Sequence, residues 1–293
     1  MNGILCLNKP AELTSFACCA RVRRRLGVKK LGHGGTLDPM ATGVLPLLIG
    51  NATRAMDLLP VQDKRYTASL QFGLTSDTQD IWGTVTETGA PLPTRAAVEE
   101  ALPRFRGKLL QLPPMMSALK KDGVRLYDLA RQGLEVERTP RPVTIHALEI
   151  LSYDERRGVL AVDCHCSKGT YVRTLCHDLG QALGCGAVMT ALCRTMAAGY
   201  TLDQCVSLDE ALALPEEELA ARVLPVASAF AAYPALPVST AQGVRFRNGG
   251  ALSIDRLHLP VEGIVRVYDA GGTFLGLGKR EGDDLQVYKL FCQ

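Results

Sequence analysis

Residues 32–43 read Gly-His-Gly-Gly-Thr-Leu-Asp-Pro-Met-Ala-Thr-Gly. Four glycines and a proline surround a single carboxylate, Asp38. Glycine lets the backbone take positive φ and approach another molecule closely. Pro39 restricts Asp38 to extended conformations and stops a helix there. Asp38 is therefore expected on a rigid, non-helical loop, aimed rather than merely exposed. An ordinary turn has a similar composition, since Asp and Gly dominate turns. The rest of the chain has to decide.

A chain of 293 residues can bury a real core, with one large domain plus a small one as the default. Hydrophobic content of 47% and charged content of 22% are ordinary for a globular protein. The net charge of +3 is too small to argue nucleic-acid binding by itself. Ten cysteines form no CxxC pair and sit mostly in apolar runs, so they read as buried free thiols of a reducing compartment. Cys164-His165-Cys166 does not make a metal site, because alternate residues of a strand face opposite ways and no second ligand pair follows. No basic start with an apolar core and cleavage site appears, nor any apolar run that could span a bilayer. The expected location is the cytoplasm.

Residues 3–7 read as a buried strand ended by Asn8-Lys9-Pro10. Thr14 or Ser15 then caps a helix with Phe16, Cys19, Ala20, Val22 and Leu26 at helical spacing, stopped by Gly27. Arg21, Arg23, Arg24 and Arg25, followed by Lys29 and Lys30, give either a solvated face or a polyanion contact. Residues 44–49 predict a buried strand, and Asn51 caps a helix ending near Pro60. Residues 64–72 alternate as a strand opening with two cations and Tyr66. A polar loop at 75–80, a short strand near Val85 and a helix over 94–105 follow. Residues 108–140 read as irregular apart from a helix over about 126–132, and such an excursion is often functional. A hairpin covers 143–153 and 159–166, turning at 154–158. Then come a helix over 171–183, a strand over 187–195 and a helix over 207–214. The Ala- and Pro-rich stretch 224–237 reads as the domain link. Beyond it, strands near 244–246, 264–268, 274–278 and 285–291 with glycine turns suggest a small β-barrel.

There is no G-x-G-x-x-G after a strand, no G-x-x-x-x-G-K-[ST], no G-x-S-x-G and no H-E-x-x-H. Nucleotide-cofactor and metal chemistry are set aside. One aimed carboxylate with basic stretches and an appended barrel fits a cofactor-free enzyme acting on RNA. It equally fits a plain RNA-binding protein.

The motifs carry a resemblance that separates these. The 32–43 segment resembles the catalytic motif of the TruB family, the tRNA pseudouridine-55 synthases. Asn8-Lys9-Pro10 is similar to its Lys-Pro motif, and Asp63-Lys64-Arg65-Tyr66 to its Lys-x-Tyr motif. Residues 73–80 resemble its Thr-Asp-Thr-x-Asp loop, and residues 166–175 with Asp178-Leu179-Gly180 its Lys-Gly-Thr-Tyr-x-Arg segment. The resemblance implies an α+β pseudouridine-synthase fold, with a mixed, mainly antiparallel central sheet flanked by helices and loops. It implies a catalytic domain at 1–225 with an RNA-gripping insertion at 113–133, and a PUA-like β-barrel at 236–293. The reaction implied is isomerisation of uridine in the tRNA T-loop after base flipping. Asp38 would attack or abstract a proton, Arg173 would keep it charged against burial, and Tyr66 would stack on uracil. His33 would take part in flipping, Asp80 would contact the nucleotide or Arg173, and Tyr171 and Leu192 would line the pocket. Lys64 would meet phosphate, and Lys9 and Pro10 would support the catalytic loop. The implied partner is the T-arm of tRNA, with no cofactor, metal, membrane or obligatory protein partner, the chain acting as a monomer. A non-catalytic RNA-binding or tRNA-folding protein would use the same surface. Gly34, Met116 and Cys193 depart from the family pattern, which usually has Thr, Tyr and Arg there.

Overall fold

The fold comes from a computed structural model that describes residues 1–257 and 260–292. The chain divides into two compact units: residues 1–38, 44–62 and 198–293, and residues 39–43 and 63–197.

In the first unit the strand Gly3–Lys9 is buried at every position but Asn8. It pairs in parallel with Val206–Ser207 and lies beside Thr42–Ile49, to which Leu31–His33 adds antiparallel. The helix Ser15–Arg25 packs against Leu31–His33 and the helix Leu208–Ala213. Thr14 caps it, its hydroxyl accepting the Ala17 N–H at 3.0 Å, and Gly27 at φ 59° follows its end. Its inward stripe is Ser15, Cys18, Cys19 and Val22, then Leu26. Phe16, expected to point inward, is 75% exposed because it lies off that stripe. Arg25 is half-buried, and its guanidinium donates to the carbonyls of Leu212 and Leu214 at the end of the neighbouring helix. Residues 50–58 form a tight 3₁₀ helix without a side-chain cap. Asn51 is not its cap; its N–H donates to the Asn2 side chain at 2.8 Å.

The second unit is built on five antiparallel strands in the order Ala187–Ala197, Lys64–Phe72, Val159–Cys166, Arg141–Asp154, Gly107–Gln111. The outermost strand falls at the start of the region expected to be irregular, its sequence lacking a clear alternation. Its partner Arg141–Ile145 supplies the pattern instead. The insertion holds a small hairpin, Lys120–Lys121 with Val124–Arg125, and the helix Leu126–Arg131. The helix Val172–Ala182 packs on Ala187–Ala197. Alternation places Cys164 and Cys166 in the core while His165 faces the other way, beside His146 and Asp63. Burial pushes the Cys19 and Cys176 thiols up to about 12, which makes them unreactive near neutrality.

The C-terminal part of the first unit is a five-stranded curled sheet of PUA-like form, ordered Ala235–Pro237, Ile264–Tyr268, Phe274–Glu281, Asp284–Leu290, Leu252–Ser253. Leu236, Phe246, Val265, Val267, Leu275 and Leu285 fill its core. Residues 244–246 are not a strand. They belong to the helix Thr240–Arg247, started by a capping box of Ser239 and Gln242, with Phe246 inward and Val244 exposed. The stretch 224–237 carries the 3₁₀ helix Val226–Phe230 and the strand Ala235–Pro237. Ile4 and Leu224 exchange backbone hydrogen bonds, and Phe230 packs its ring against Phe274 and Phe291.

Candidate active site

The loop carrying Asp38 is held from its main chain. Ser15, 1% exposed, accepts the Leu37 N–H at 2.9 Å and donates to the Leu37 carbonyl at 3.1 Å. One hydroxyl thus fixes both polar groups of the residue before Asp38, and Pro39 follows it. Upstream, His33 closes the strand Leu31–His33 opposite Leu47, and the Gly34 N–H donates to the Pro46 carbonyl at 2.8 Å. Gly34 lies outside the left-handed region, and a Cβ there would meet Leu48 and Pro46 at ordinary contact distances of 3.5–3.6 Å. Asp38 and His33 are half-buried. Lys9 is fully buried, and its ammonium donates to the Pro10 carbonyl at 2.7 Å.

In the second unit the structure brings Arg173 and Asp80 together. Arg173 is 4% exposed in the first turn of the helix Val172–Ala182. Its guanidinium reaches Asp80 Oδ2 at 3.4 Å and donates to the carbonyls of Thr78 at 3.1 Å and Met116 at 2.8 Å. The other Asp80 oxygen, Oδ1, accepts from the Thr78 hydroxyl at 2.7 Å and from the Trp82 N–H at 3.0 Å. A buried charge persists only when paired and hydrogen-bonded, and both members of this pair are. Met116 enters through its carbonyl, so its departure from the expected Tyr leaves this bond intact. Tyr171 is half-buried, and the buried Gln111 side chain holds its main chain, accepting from the N–H at 2.7 Å and donating to the carbonyl at 3.1 Å.

Tyr66 is buried on its strand, opposite Cys164 on one side and Arg194 on the other. Lys64 is two residues before it and so shares its face, while Arg65 turns away to pair with Asp163 at 2.8 Å. Burial and the Arg194 charge hold the Lys64 ammonium below its ordinary value. Leu192 is buried opposite Ala68. Thr42 and Gly43 pair in parallel with Cys193 and Arg194. Gly43 takes φ 103°, and a Cβ on it would fall 2.2 Å from the Arg194 carbonyl oxygen.

Ser15, Gln111 and Arg194 are the residues that the motifs alone do not reveal. From sequence, Ser15 stands out only as a helix cap, a role that Thr14 fills instead. Gln111 acts on main-chain atoms 60 residues away, which leaves no local signal. Arg194 is a fully buried cation directly after the Cys193 departure. Among the described residues no group of three or more His, Cys, Asp or Glu side chains is placed to hold a metal, and no helix is long and apolar enough to cross a membrane.

Comparison with known proteins bears on the whole chain. Residues 23–172 match the family described as TruB family pseudouridylate synthase (N terminal domain). Residues 173–231 match the tRNA pseudouridylate synthase B C-terminal domain, and 234–291 match Pseudouridine synthase II TruB, C-terminal. The tRNA pseudouridine synthase B of Pseudomonas fluorescens strain Pf0-1 is 44% identical, covering 97% of this chain and 93% of its own. That of Clostridium perfringens strain 13 is 38% identical over the full length of both. Among solved structures, a chain of a Cbf5-Nop10-Gar1 complex has a TM-score of 0.75 at 24% identity, covering 99% of this chain and 85% of that one; this likeness speaks to the fold alone. The matches span the loop around Asp38, the Asp80–Arg173 pair and the C-terminal sheet together, and the chain belongs to the TruB family of pseudouridylate synthases.

Proposed function

We propose that this protein isomerises uridine to pseudouridine in the T-loop of tRNA, at position 55. Membership of the TruB family supports the reaction class. The observation that carries the reading is the buried Arg173 guanidinium, braced by Asp80 and two carbonyls at the start of a helix.

In the proposed reaction the target nucleotide leaves the stack, at a cost of a few kcal/mol. The base separates from C1′ at N1, turns, and rejoins the sugar through C5. Asp38 acts in its ionised form, either adding to the nucleotide or taking a sugar proton. Arg173 supplies the positive charge that keeps this carboxylate ionised in a dry site. Tyr66 stacks on the flipped uracil and serves as base in the last step. His33 assists flipping, Tyr171 and Leu192 wall the pocket, and Lys64 meets a phosphate. Asp80 orients Arg173. Lys9 and Pro10 brace the catalytic loop. The protein works without cofactor, as a cytoplasmic monomer of a catalytic domain at 1–225 and an RNA-binding domain at 236–293.

The test uses T-arm RNA tritiated at uracil C5. Wild-type protein is expected to release tritium, and Asp38→Asn to lose at least about a thousandfold in rate while binding RNA normally. Tritium release persisting in that variant sinks Asp38 as the reacting group. Salt-sensitive binding without turnover by the wild type would favour the non-catalytic RNA-binding reading.

A further inference from the structure

Two residues after Asp80 stands Trp82, the one tryptophan of the chain. It is 55% exposed, beside Ile81 at 46%. Single exposed apolar residues are common and need no explanation. Here the backbone beneath the ring is pinned at four successive residues. The Ile81 N–H donates to the Met189 carbonyl at 3.0 Å, and the Trp82 N–H to Asp80 Oδ1 at 3.0 Å. The Gly83 N–H donates to the Asp80 carbonyl at 3.4 Å, and the Thr84 N–H to Asp77 Oδ1 at 2.8 Å. The loop folds so tightly that a Cβ on Gly83 would lie 2.1 Å from Asp77 Oδ1. The indole is thus presented to solvent from a fixed base, and that base shares the carboxylate that holds Arg173.

We propose that Trp82 is a stacking platform for an unpaired base flanking the target nucleotide, and so sets affinity for the RNA loop. The inference rests on the RNA substrate proposed above. Three observations favour a base as the occupant. The ring is large, flat and held by its backbone, so little conformational freedom is lost on stacking. The Trp82 N–H and the Arg173 guanidinium share the Asp80 carboxylate, one on each oxygen. Loop bases, once unstacked, are recognised by stacking on aromatic side chains. Trp82 touches no reacting atom; it acts on binding and positioning.

Because Trp82 is the sole tryptophan, its emission reports on this position alone. A T-arm hairpin RNA is titrated into the full-length protein, with saturation followed independently by the anisotropy of a dye on the RNA stem. The emission is expected to be quenched in step with binding. Trp82→Ala should raise KM about tenfold with kcat within about twofold, and Trp82→Phe should recover KM to within about threefold of wild type. Unchanged emission at saturating RNA overturns the proposal, as does a Trp82→Ala enzyme with wild-type KM. If Trp82→Ala melts early, the emission and the Trp82→Phe variant decide. If the wild type binds the hairpin without converting it, the catalytic reading fails, and the stacking proposal is judged by the same comparison on Kd.

Discussion

Ser15 shows how one side chain can set the aim of another without touching it. Its hydroxyl is the partner of both main-chain groups of Leu37, one residue before Asp38. Ser15→Ala leaves a buried N–H and a buried carbonyl without that partner, and should cost about 1–3 kcal/mol in urea unfolding. Turnover should fall more than RNA affinity does, since only the loop carrying Asp38 is disturbed. A kcat equal to wild type would show that the loop is held by other means. The non-helical loop that carries Asp38 is legible in the sequence, because the surrounding glycines and Pro39 are themselves the constraint. Arg173 and Tyr66 are singled out only by the motif resemblance. Ser15 and Gln111 are not, since each grips the main chain of a residue far along the chain, and a main-chain atom has no sequence identity to match.

At the scale of elements, two glycines of one motif have opposite duties. Gly43 lies where the strand Thr42–Ile49 meets Arg194, with positive φ and no room for a Cβ. Gly43→Ala should destabilise by about 2–3 kcal/mol, through both overpacking and backbone strain. Gly34 has room and an unstrained φ. Gly34→Thr, which installs the residue expected there from the motif resemblance, should change stability by less than about 1 kcal/mol. Thermal melting of the two variants side by side checks both expectations, and equal losses would contradict the assigned geometry. Nothing in the residue names distinguishes these glycines; only the approach of Arg194 does. The same holds for residues 244–246, where three alternating residues read as strand. The capping box of Ser239 and Gln242, which begins five residues before Val244, decides for helix. Long strands such as Lys64–Phe72 are legible because alternation over nine residues leaves one answer.

Over the whole molecule a net charge of +3 hides a local concentration. Arg21, Arg23 and Arg24 line one helix, with Lys29 and Lys30 close behind, whereas Arg25 is occupied by the carbonyls of residues 212 and 214. Replacing Arg21, Arg23 and Arg24 together by Gln should flatten the dependence of log K on log salt by about 0.7 for each phosphate no longer neutralised. The turnover number at saturating RNA should stay within about twofold of wild type, as the three are exposed and stand outside the residues proposed to react. A salt slope equal to wild type would return the helix face to simple solvation. Ser15 grips the main chain of Leu37, Gln111 that of Tyr171, and Arg173 the carbonyls of Thr78 and Met116. Backbone atoms are common to all residues, so the half-buried side chain at 116 can be exchanged while its carbonyl keeps the same bond to Arg173. The anchors themselves, Ser15, Gln111 and Arg173, have no such latitude, because their side chains make the bonds.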